Sequence, residues 1–189
     1  MGVYKYIGDL WRKPKETMGE MWRHRLVEWR QDPTTFKIEY PTRLDRAHAV
    51  GYRAKPGIFI VRQRVTAGSH KRPHTEGGRR SKNQTRSMSL RKNYQLIAEE
   101  RANKKFINCE VLNSYFVGHD SKHYWYEVIL VDRAHPQVLA DPRLNWIANQ
   151  RGRVYRGLTS AGRKVRGLRH KGKGVEKARP SRRAHSRRQ

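Results

Sequence analysis

The sequence predicts an α+β fold, a mainly antiparallel sheet flanked by helices, with a long basic internal loop and an extended basic C-terminal tail. Two apolar segments with the composition of strands, separated by a short polar stretch, indicate an antiparallel hairpin. Apolar residues at three- and four-residue steps on both sides of this hairpin indicate helices that cover the sheet. Charge separates the core from the basic segments: residues 106–150 carry 3 basic and 5 acidic side chains, a net of −2, whereas the chain of 189 residues carries +27.

The N-terminal segment is predicted to form two helices. A short first helix is suggested by the spacing of four apolar residues: Tyr4, Ile7, Leu10 and Trp11. A longer helix is predicted from Pro14, because proline lacks an N–H that the first turn of a helix does not use. Asp32-Pro33 ends this helix. The stripe expected to pack in the core consists of Met18, Met21, Trp22, Leu26 and Trp29.

The first strands are predicted between residues 36 and 65. Residues 36–40 alternate in polarity and indicate a short strand. Residues 43–48 are mixed and expected to be irregular, and residues 51–57 indicate a turn-rich basic loop. Residues 58–65 indicate a longer strand with an apolar first half. We expect that half to be buried and the second half to emerge toward solvent or a ligand.

The middle of the chain combines a basic loop with the strongest strand patterns. Residues 66–88 are rich in Gly, Ser and Arg, and a structureless loop of this length is uncommon unless it is functional or disordered. Residues 107–111 alternate in polarity at the start of the segment 107–117, and residues 123–131 form a largely apolar run. Residues 118–121 indicate a turn between the two segments, so the pair predicts the hairpin. Ser89 is expected to cap a helix. The apolar face of that helix comprises Leu90, Tyr94, Ile97, Ala98 and Ala102.

Short helical turns are predicted after the hairpin. Residues 136–139 indicate one turn, and Asp141 followed by Pro142 indicates the start of another short helix. That helix carries the apolar residues Leu144, Trp146 and Ile147. Thr159 is a candidate cap for a single amphipathic turn further on.

The composition argues against membrane and secreted classes. The longest strongly apolar run, residues 128–131, is far shorter than the ~20 residues a transmembrane helix needs. The first six residues lack the apolar region of a secretory signal, and Tyr6 does not fit a myristoylation signal. A single cysteine, Cys109, excludes an internal disulfide and a Cys-x-x-Cys zinc site. We therefore expect a cytoplasmic protein.

One segment is similar to a phosphate-binding loop. Residues 152–159 contain two glycines and a threonine, but Leu158 occupies the position of the lysine that contacts phosphate. No buried strand is predicted before this segment, so nucleotide binding is rejected and no cofactor or small-molecule substrate is expected. Cys109 lies in a strand pattern and needs no catalytic role.

Histidines provide the other candidate chemistry. His70 with His74, and His119 with His123, have metal-like spacing without an identifiable third ligand, so no metal site is predicted. His119, Asp120 and His123 also suggest an RNA-cleaving or RNA-processing enzyme. They fit the polar tip of a hairpin equally well. We expect no catalytic residues, and the enzyme remains an alternative.

The basic residues carry the strongest functional signal. The internal basic segment (residues 62–92) and the C-terminal basic segment (residues 151–189) have few acidic side chains; residues 151–189 hold 15 basic groups and 1 acidic group, a net of +14. Such a segment cannot bury enough apolar surface to offset its ordering entropy, so it is expected to be disordered alone. Nucleic acid supplies the phosphates that would neutralise it, and arginine binds phosphate through two parallel hydrogen bonds.

The predicted RNA contacts are mainly the basic residues of these two segments and of the 43–55 region. They are Arg43, Arg46, Arg53, Lys55, Arg62, Arg64, Lys71, Arg72, Arg79, Arg80, Lys82, Arg86, Arg91, Lys92, Arg151, Arg153, Tyr155, Arg156, Arg163, Lys164, Arg166, Arg169, His170, Lys171 and Lys173. The absence of zinc-finger, heptad and RNA-recognition sheet motifs disfavours sequence-specific DNA recognition. A DNA-packing architectural protein remains a second alternative.

Four short motifs resemble the archaeal and eukaryotic large-subunit ribosomal protein family called fifteen-e, and the resemblance extends over nearly the whole chain. The motifs lie at residues 51–55, 112–115, 127–132 and, most distinctively, 156–162. The resemblance implies an α+β core whose extensions thread into large-subunit ribosomal RNA, with a structural role and no catalysis.

This resemblance and the charge pattern together predict a structural constituent of the large ribosomal subunit that clamps its RNA. We expect residues 1–150 to form a single core domain with the basic loop 66–88 inserted, and residues 151–189 to form an RNA-binding tail. The expected partners are large-subunit ribosomal RNA and neighbouring ribosomal proteins. No membrane and no second copy of the chain is expected as a partner.

Overall fold

The segments predicted as strands form the sheet at the centre of the fold. A computed structural model describes residues 2–68, 76–78, 92–170, 175 and 178. Its four strands are β1 (Thr35–Ile38), β2 (Ile58–Thr66), β3 (Cys109–His119) and β4 (His123–Asp132). They are ordered β1-β2-β4-β3, and every neighbouring pair is antiparallel. The predicted α+β class and the predicted hairpin are confirmed.

The two faces of the sheet build two hydrophobic clusters. On β2, Ile58 and Ile60 belong to the first cluster, whereas Val61 and Val65 belong to the second. This division follows from the two-residue period of a strand. The prediction that the second half of β2 emerges is wrong, because Gln63 and Val65 are buried. The Gln63 side chain is satisfied there, since it accepts a hydrogen bond from Thr35 Oγ1 at 2.7 Å across the β1–β2 pair.

Helices near the N-terminus cover the first face. They are α1 (Val3–Leu10), α2 (Pro14–Thr17), α3 (Gly19–Gln31) and α4 (Leu44–Ala49). The predicted long helix is therefore broken, at Gly19, where a φ of +48° departs from helical geometry and favours glycine. Residues 43–48 were expected to be irregular, which is wrong because α4 forms there and buries Ala47 completely.

Three tryptophans hold α3 on the sheet. Trp22 and Trp29 meet edge to face with ring centroids 5.7 Å apart, and Trp29 lies 5.7 Å from Trp125 of β4. Trp125 Nε1 also donates to the Trp29 carbonyl at 3.3 Å. The buried stripe consists of Trp22, Leu26 and Trp29, whereas Met21, predicted to share it, is 59% exposed.

The second face is covered by α5 (Tyr94–Lys105) and α7 (Ser160–Val165). The predicted cap Ser89 lies outside the described residues; α5 begins at Tyr94 and is capped by Asn93, which accepts from Leu96 N at 2.8 Å. Val154 and Ala161 are buried in the second cluster. The hydrophobic core therefore includes residues beyond position 150.

Short turns close the first cluster after the hairpin. The predicted helical turn at residues 136–139 is confirmed as α6 (Pro136–Leu139). The helix predicted after Asp141 is shorter than expected, because only a 3₁₀ turn forms at Asn145–Ile147. Leu144 and Ile147 are buried, whereas Trp146 is 42% exposed.

Candidate nucleic-acid interface

A buried glutamate fastens the start of the C-terminal basic segment to the core. Glu99 of α5 is fully buried. It accepts hydrogen bonds from Thr159 Oγ1 and from Ser114 Oγ, both at 2.5 Å. Thr159 Oγ1 in turn accepts from Gly162 N at 3.2 Å, so the predicted cap of α7 is confirmed. One carboxyl group thereby positions the N-terminus of α7.

A second buried glutamate holds the chain just before α7. Glu110 of β3 is 4% exposed. Its two carboxylate oxygens accept from Gly152 N at 2.7 Å and from Arg153 N at 3.2 Å. The backbone of residues 152–159 is thus held at both ends by side chains of the sheet and of α5.

The segment between these anchors contains a close crossing of two backbones. A Cβ atom added to Gly162 would lie 2.6 Å from Gly157 Cα. Gly157 itself has a φ of +65°, a conformation that side chains disfavour. Residues 156–162, the most distinctive motif of the sequence, therefore form a crossing that only small residues permit.

This crossing presents basic side chains on α7 to solvent. Arg163 and Lys164 occupy the last turn of α7, and both are exposed. Neither side chain forms a hydrogen bond or ion pair with the described residues. Arg163 and Lys164 are therefore available to bind an anion.

Glu99 makes the stability of this attachment depend on pH. Burial raises its pKa, although hydrogen bonds from Ser114 and Thr159 oppose this effect. The ordinary glutamate pKa is about 4.3. Because the folded-state pKa is higher, the stability contributed by this group is fully present below the ordinary pKa and is lost as the pH rises through the folded pKa.

We expect Glu99→Gln to flatten this pH dependence. The free energy of unfolding should decline less between about pH 4 and pH 8 in the variant than in the unchanged protein, because glutamine does not ionise. Urea unfolding at several pH values measures this difference. Glu20→Gln, an exposed glutamate on α3, is the matched control and should leave the profile unchanged. Parallel profiles for the unchanged protein and Glu99→Gln would contradict the assignment.

The predicted RNA contacts divide into groups with different surroundings. One group is exposed and forms no side-chain hydrogen bond or ion pair with the described residues: Arg46, Arg151, Arg163, Lys164 and His170. A second group binds a neighbouring side chain or carbonyl: Arg53, Lys55, Arg64, Lys92, Tyr155, Arg156, Arg166 and Arg169. The predictions outside the described residues are Lys71, Arg72, Arg79, Arg80, Lys82, Arg86, Arg91, Lys171 and Lys173.

Three predicted contacts have their guanidinium groups turned toward the protein. Arg62 lies over the Trp29 ring at 4.6 Å and forms an ion pair with Asp32 at 3.3 Å. Arg43 pairs with Asp45 at 3.1 Å and lies over Trp11. Arg153 donates to the carbonyl oxygens of two β3 residues, Val111 and Leu112. These groups take part in internal packing, and their predicted contact with RNA stays a prediction.

A surface groove is lined by two predicted RNA contacts and by two residues that the sequence did not single out as RNA contacts. It has a volume of about 410 Å³ and is lined by Arg53 and Lys55 together with Arg143 and Trp146. The sequence singled out Trp146 only as an apolar residue of a predicted short helix, together with Leu144 and Ile147. Its position between Arg143 and the basic residues that begin at Arg151 is the signal that could have identified it.

The residues suggested for RNA cleavage form a tight turn between β3 and β4. One oxygen of Asp120 accepts from the N–H groups of Lys122 and His123, and the other accepts from Arg30 Nε at 2.9 Å. Partial burial alone would raise the pKa of Asp120, but these hydrogen bonds lower it below its ordinary value. Asp120 thus stabilises the turn and holds it against α3.

The remaining candidate chemistry can be placed as well. Cys109 is buried, and burial raises the pKa of its thiol to about 11. Within the described ranges, no group of three His, Cys, Asp or Glu side chains is arranged to hold a metal ion. His70 and His74 lie outside those ranges. None of the helices found in the described part of the chain is long and apolar enough to cross a bilayer.

An α+β core that fixes exposed guanidinium and ammonium groups on its surface is typical of nucleic-acid-binding proteins. The chain belongs to the Ribosomal L15e family, whose model, described as "Ribosomal L15", matches residues 2–185. The family resemblance seen in the sequence motifs is confirmed.

Three relatives are named large ribosomal subunit protein eL15. The protein of Methanocella arvoryzae is 52% identical over 98% of this chain and 97% of its own length. The protein of Nanoarchaeum equitans is 51% identical over 98% of both chains. The protein of Picrophilus torridus is 50% identical over 99% of this chain and 98% of its own length.

Proposed function

We propose that this protein is a structural constituent of the large ribosomal subunit in the cytoplasm, where it binds and clamps large-subunit ribosomal RNA. Its role is to neutralise and position RNA phosphates, with no catalysis. Residues 1–150 form the core domain, onto which Val154 and Ala161 of the C-terminal basic segment pack, and the internal and C-terminal basic segments supply the contacts. The partners are ribosomal RNA and neighbouring ribosomal proteins. Family membership and relatives at about 50% identity support this proposal.

One structural observation carries the RNA-binding part of the proposal. Arg163 and Lys164 are exposed on a helix whose position is determined by the buried pair of Thr159 and Glu99. A cation held on a rigid element loses less conformational entropy when it binds phosphate than one on a freely moving chain. The C-terminal basic segment therefore begins with preorganised phosphate ligands.

Changing Arg163 and Lys164 together to glutamine should weaken binding to a large-subunit ribosomal RNA transcript. Each phosphate contact releases counterions from the RNA when it forms. A variant that lacks a contact releases fewer counterions, so its slope of log affinity against log salt should be less steep by about 1 per residue. Fluorescence anisotropy at four salt concentrations measures both quantities.

The control for this experiment changes Arg12 and Arg23 to glutamine. These exposed arginines lie on the α1–α3 side of the sheet, and their loss lowers the net charge by the same amount. Equal losses in the two double variants would mean that net charge alone determines affinity. Equal affinity for duplex DNA at matched salt would favour the DNA-packing alternative, and cleavage of the transcript abolished by His119→Ala would favour the enzyme.

A further inference from the structure

A groove beside the C-terminal end of α4 combines cations with an exposed aromatic ring. Its volume is about 410 Å³, and its walls include Gly51, Arg53, Lys55, Leu112, Arg143 and Trp146. This volume lies within the range of about 300 to 1,000 Å³ that is usual for sites that enclose small molecules. The groove therefore has room for a ligand the size of one nucleotide.

The charge of the groove favours an anion. Its one acidic lining residue, Asp141, is already bound by Lys55 Nζ at 2.7 Å and by Arg143 N at 2.9 Å. Arg53 donates from Nη1 to the Tyr52 carbonyl at 2.9 Å, which leaves its other donors free of described partners. The Arg143 side chain forms no hydrogen bond or ion pair with the described residues. Two guanidinium groups can thus receive a phosphate.

The aromatic wall is held in a fixed orientation. Trp146 Nε1 donates to the Arg143 carbonyl at 2.9 Å. The guanidinium carbon of Arg153 lies 4.7 Å from the centroid of the Trp146 ring, and Arg153 is itself bound to carbonyl oxygens of β3. An indole that is already immobilised and still 42% exposed can stack on a second flat ring with little loss of conformational entropy.

We propose that this groove binds one unpaired nucleotide of an RNA chain, with its base against Trp146 and Leu112 and its phosphate between Arg53 and Arg143. A nucleotide joins a flat ring to an anion, which matches both walls. The base must be unpaired, because bases inside a duplex are stacked and their faces are covered. The inference rests on the proposed function, since it specifies what part of an RNA the protein recognises.

The test compares two RNA hairpins that differ by one bulged nucleotide in the stem. Base stacking on an aromatic side chain is worth enough to change affinity about five-fold or more. The unchanged protein should bind the bulged hairpin at least that much more tightly in fluorescence anisotropy. Trp146→Leu, which keeps an apolar side chain but loses the ring, and the double variant Arg53→Gln with Arg143→Gln should each remove the preference while retaining binding to the fully paired hairpin.

The control variant is Tyr40→Ala. Tyr40 is an aromatic residue outside the groove that is 74% exposed, and its loss should leave the preference for the bulge intact. Equal affinity of the unchanged protein for both hairpins overturns the groove proposal and leaves RNA binding standing. A preference that survives in Trp146→Leu also overturns it. If the unchanged protein binds neither hairpin and also fails to bind the ribosomal RNA transcript, the proposed function itself is overturned.

Discussion

Replacing Glu127 with alanine is expected to lower the free energy of unfolding by about 3 to 5 kcal/mol. Glu127 lies in the middle of β4 and is completely buried. It accepts hydrogen bonds from the N–H and hydroxyl of Thr42 and from the Tyr115 hydroxyl, and Arg62 Nε lies 3.7 Å from one of its oxygens. Alanine would leave these donors unsatisfied inside the protein.

Burial raises the pKa of Glu127, while hydrogen bonds from Thr42 and Tyr115 and the charge of Arg62 oppose that rise. Glu127→Gln keeps an acceptor for Thr42 and Tyr115, so the free energy of unfolding should fall less in this variant, by about 1 to 3 kcal/mol. Urea unfolding measures both changes. Glu28→Ala, an exposed residue of α3, should stay within about 0.5 kcal/mol of the unchanged protein. An equally small change for Glu127→Ala would refute the assigned role.

Replacing Gly162 with alanine is expected to destabilise the attachment of α7 by about 1 to 3 kcal/mol. The added Cβ would lie 2.6 Å from Gly157 Cα and 2.9 Å from its carbonyl carbon. Because both atoms belong to the backbone, no side-chain rotation can relieve the overlap. We therefore expect α7 to shift and the bond between Thr159 and Glu99 to weaken.

Gly8→Ala is the matched control for Gly162→Ala. Gly8 also lies in a helix, α1, but the nearest atom to an added Cβ is the Asp45 Oδ2 atom at 3.9 Å. Alanine there should be neutral or stabilising by about 0.5 to 1 kcal/mol, because it restricts the unfolded chain. Urea unfolding and amide exchange of residues 160–165 distinguish the two variants. Unchanged protection of α7 in Gly162→Ala would contradict the close crossing.

The central hairpin of the sheet could be predicted from the sequence because both of its strands are long and apolar and are separated by a short polar stretch. β3 and β4 span 11 and 10 residues that are rich in β-branched and aromatic side chains. The exposure of Met21 and the formation of α4 could not be predicted, because both depend on packing between distant elements. Ala47 becomes a core residue only when α4 lies against its neighbours, and composition does not reveal that contact.

The sequence identified which basic residues belong to the candidate site, but it did not predict which of their side chains face solvent. Arg163 and Lys164 were identified by charge, and the structure places them on the exposed side of α7. Arg62 had the same signal, yet its side chain is 12% exposed because Trp29 and Asp32 surround it. Charge patterning counts arginines without distinguishing those that face inward. Trp146 was missed for the opposite reason, since an apolar residue in a short pattern is usually assigned to the core.

The two buried glutamates that hold residues 152–159 fix the first part of the C-terminal basic segment on the core. Glu110 belongs to β3 and Glu99 belongs to α5, so the backbone of residues 152–159 is fixed relative to the sheet at both of its ends. If the core binds RNA as proposed, a second contact made by α7 with the same RNA becomes intramolecular, with an effective concentration in the millimolar range.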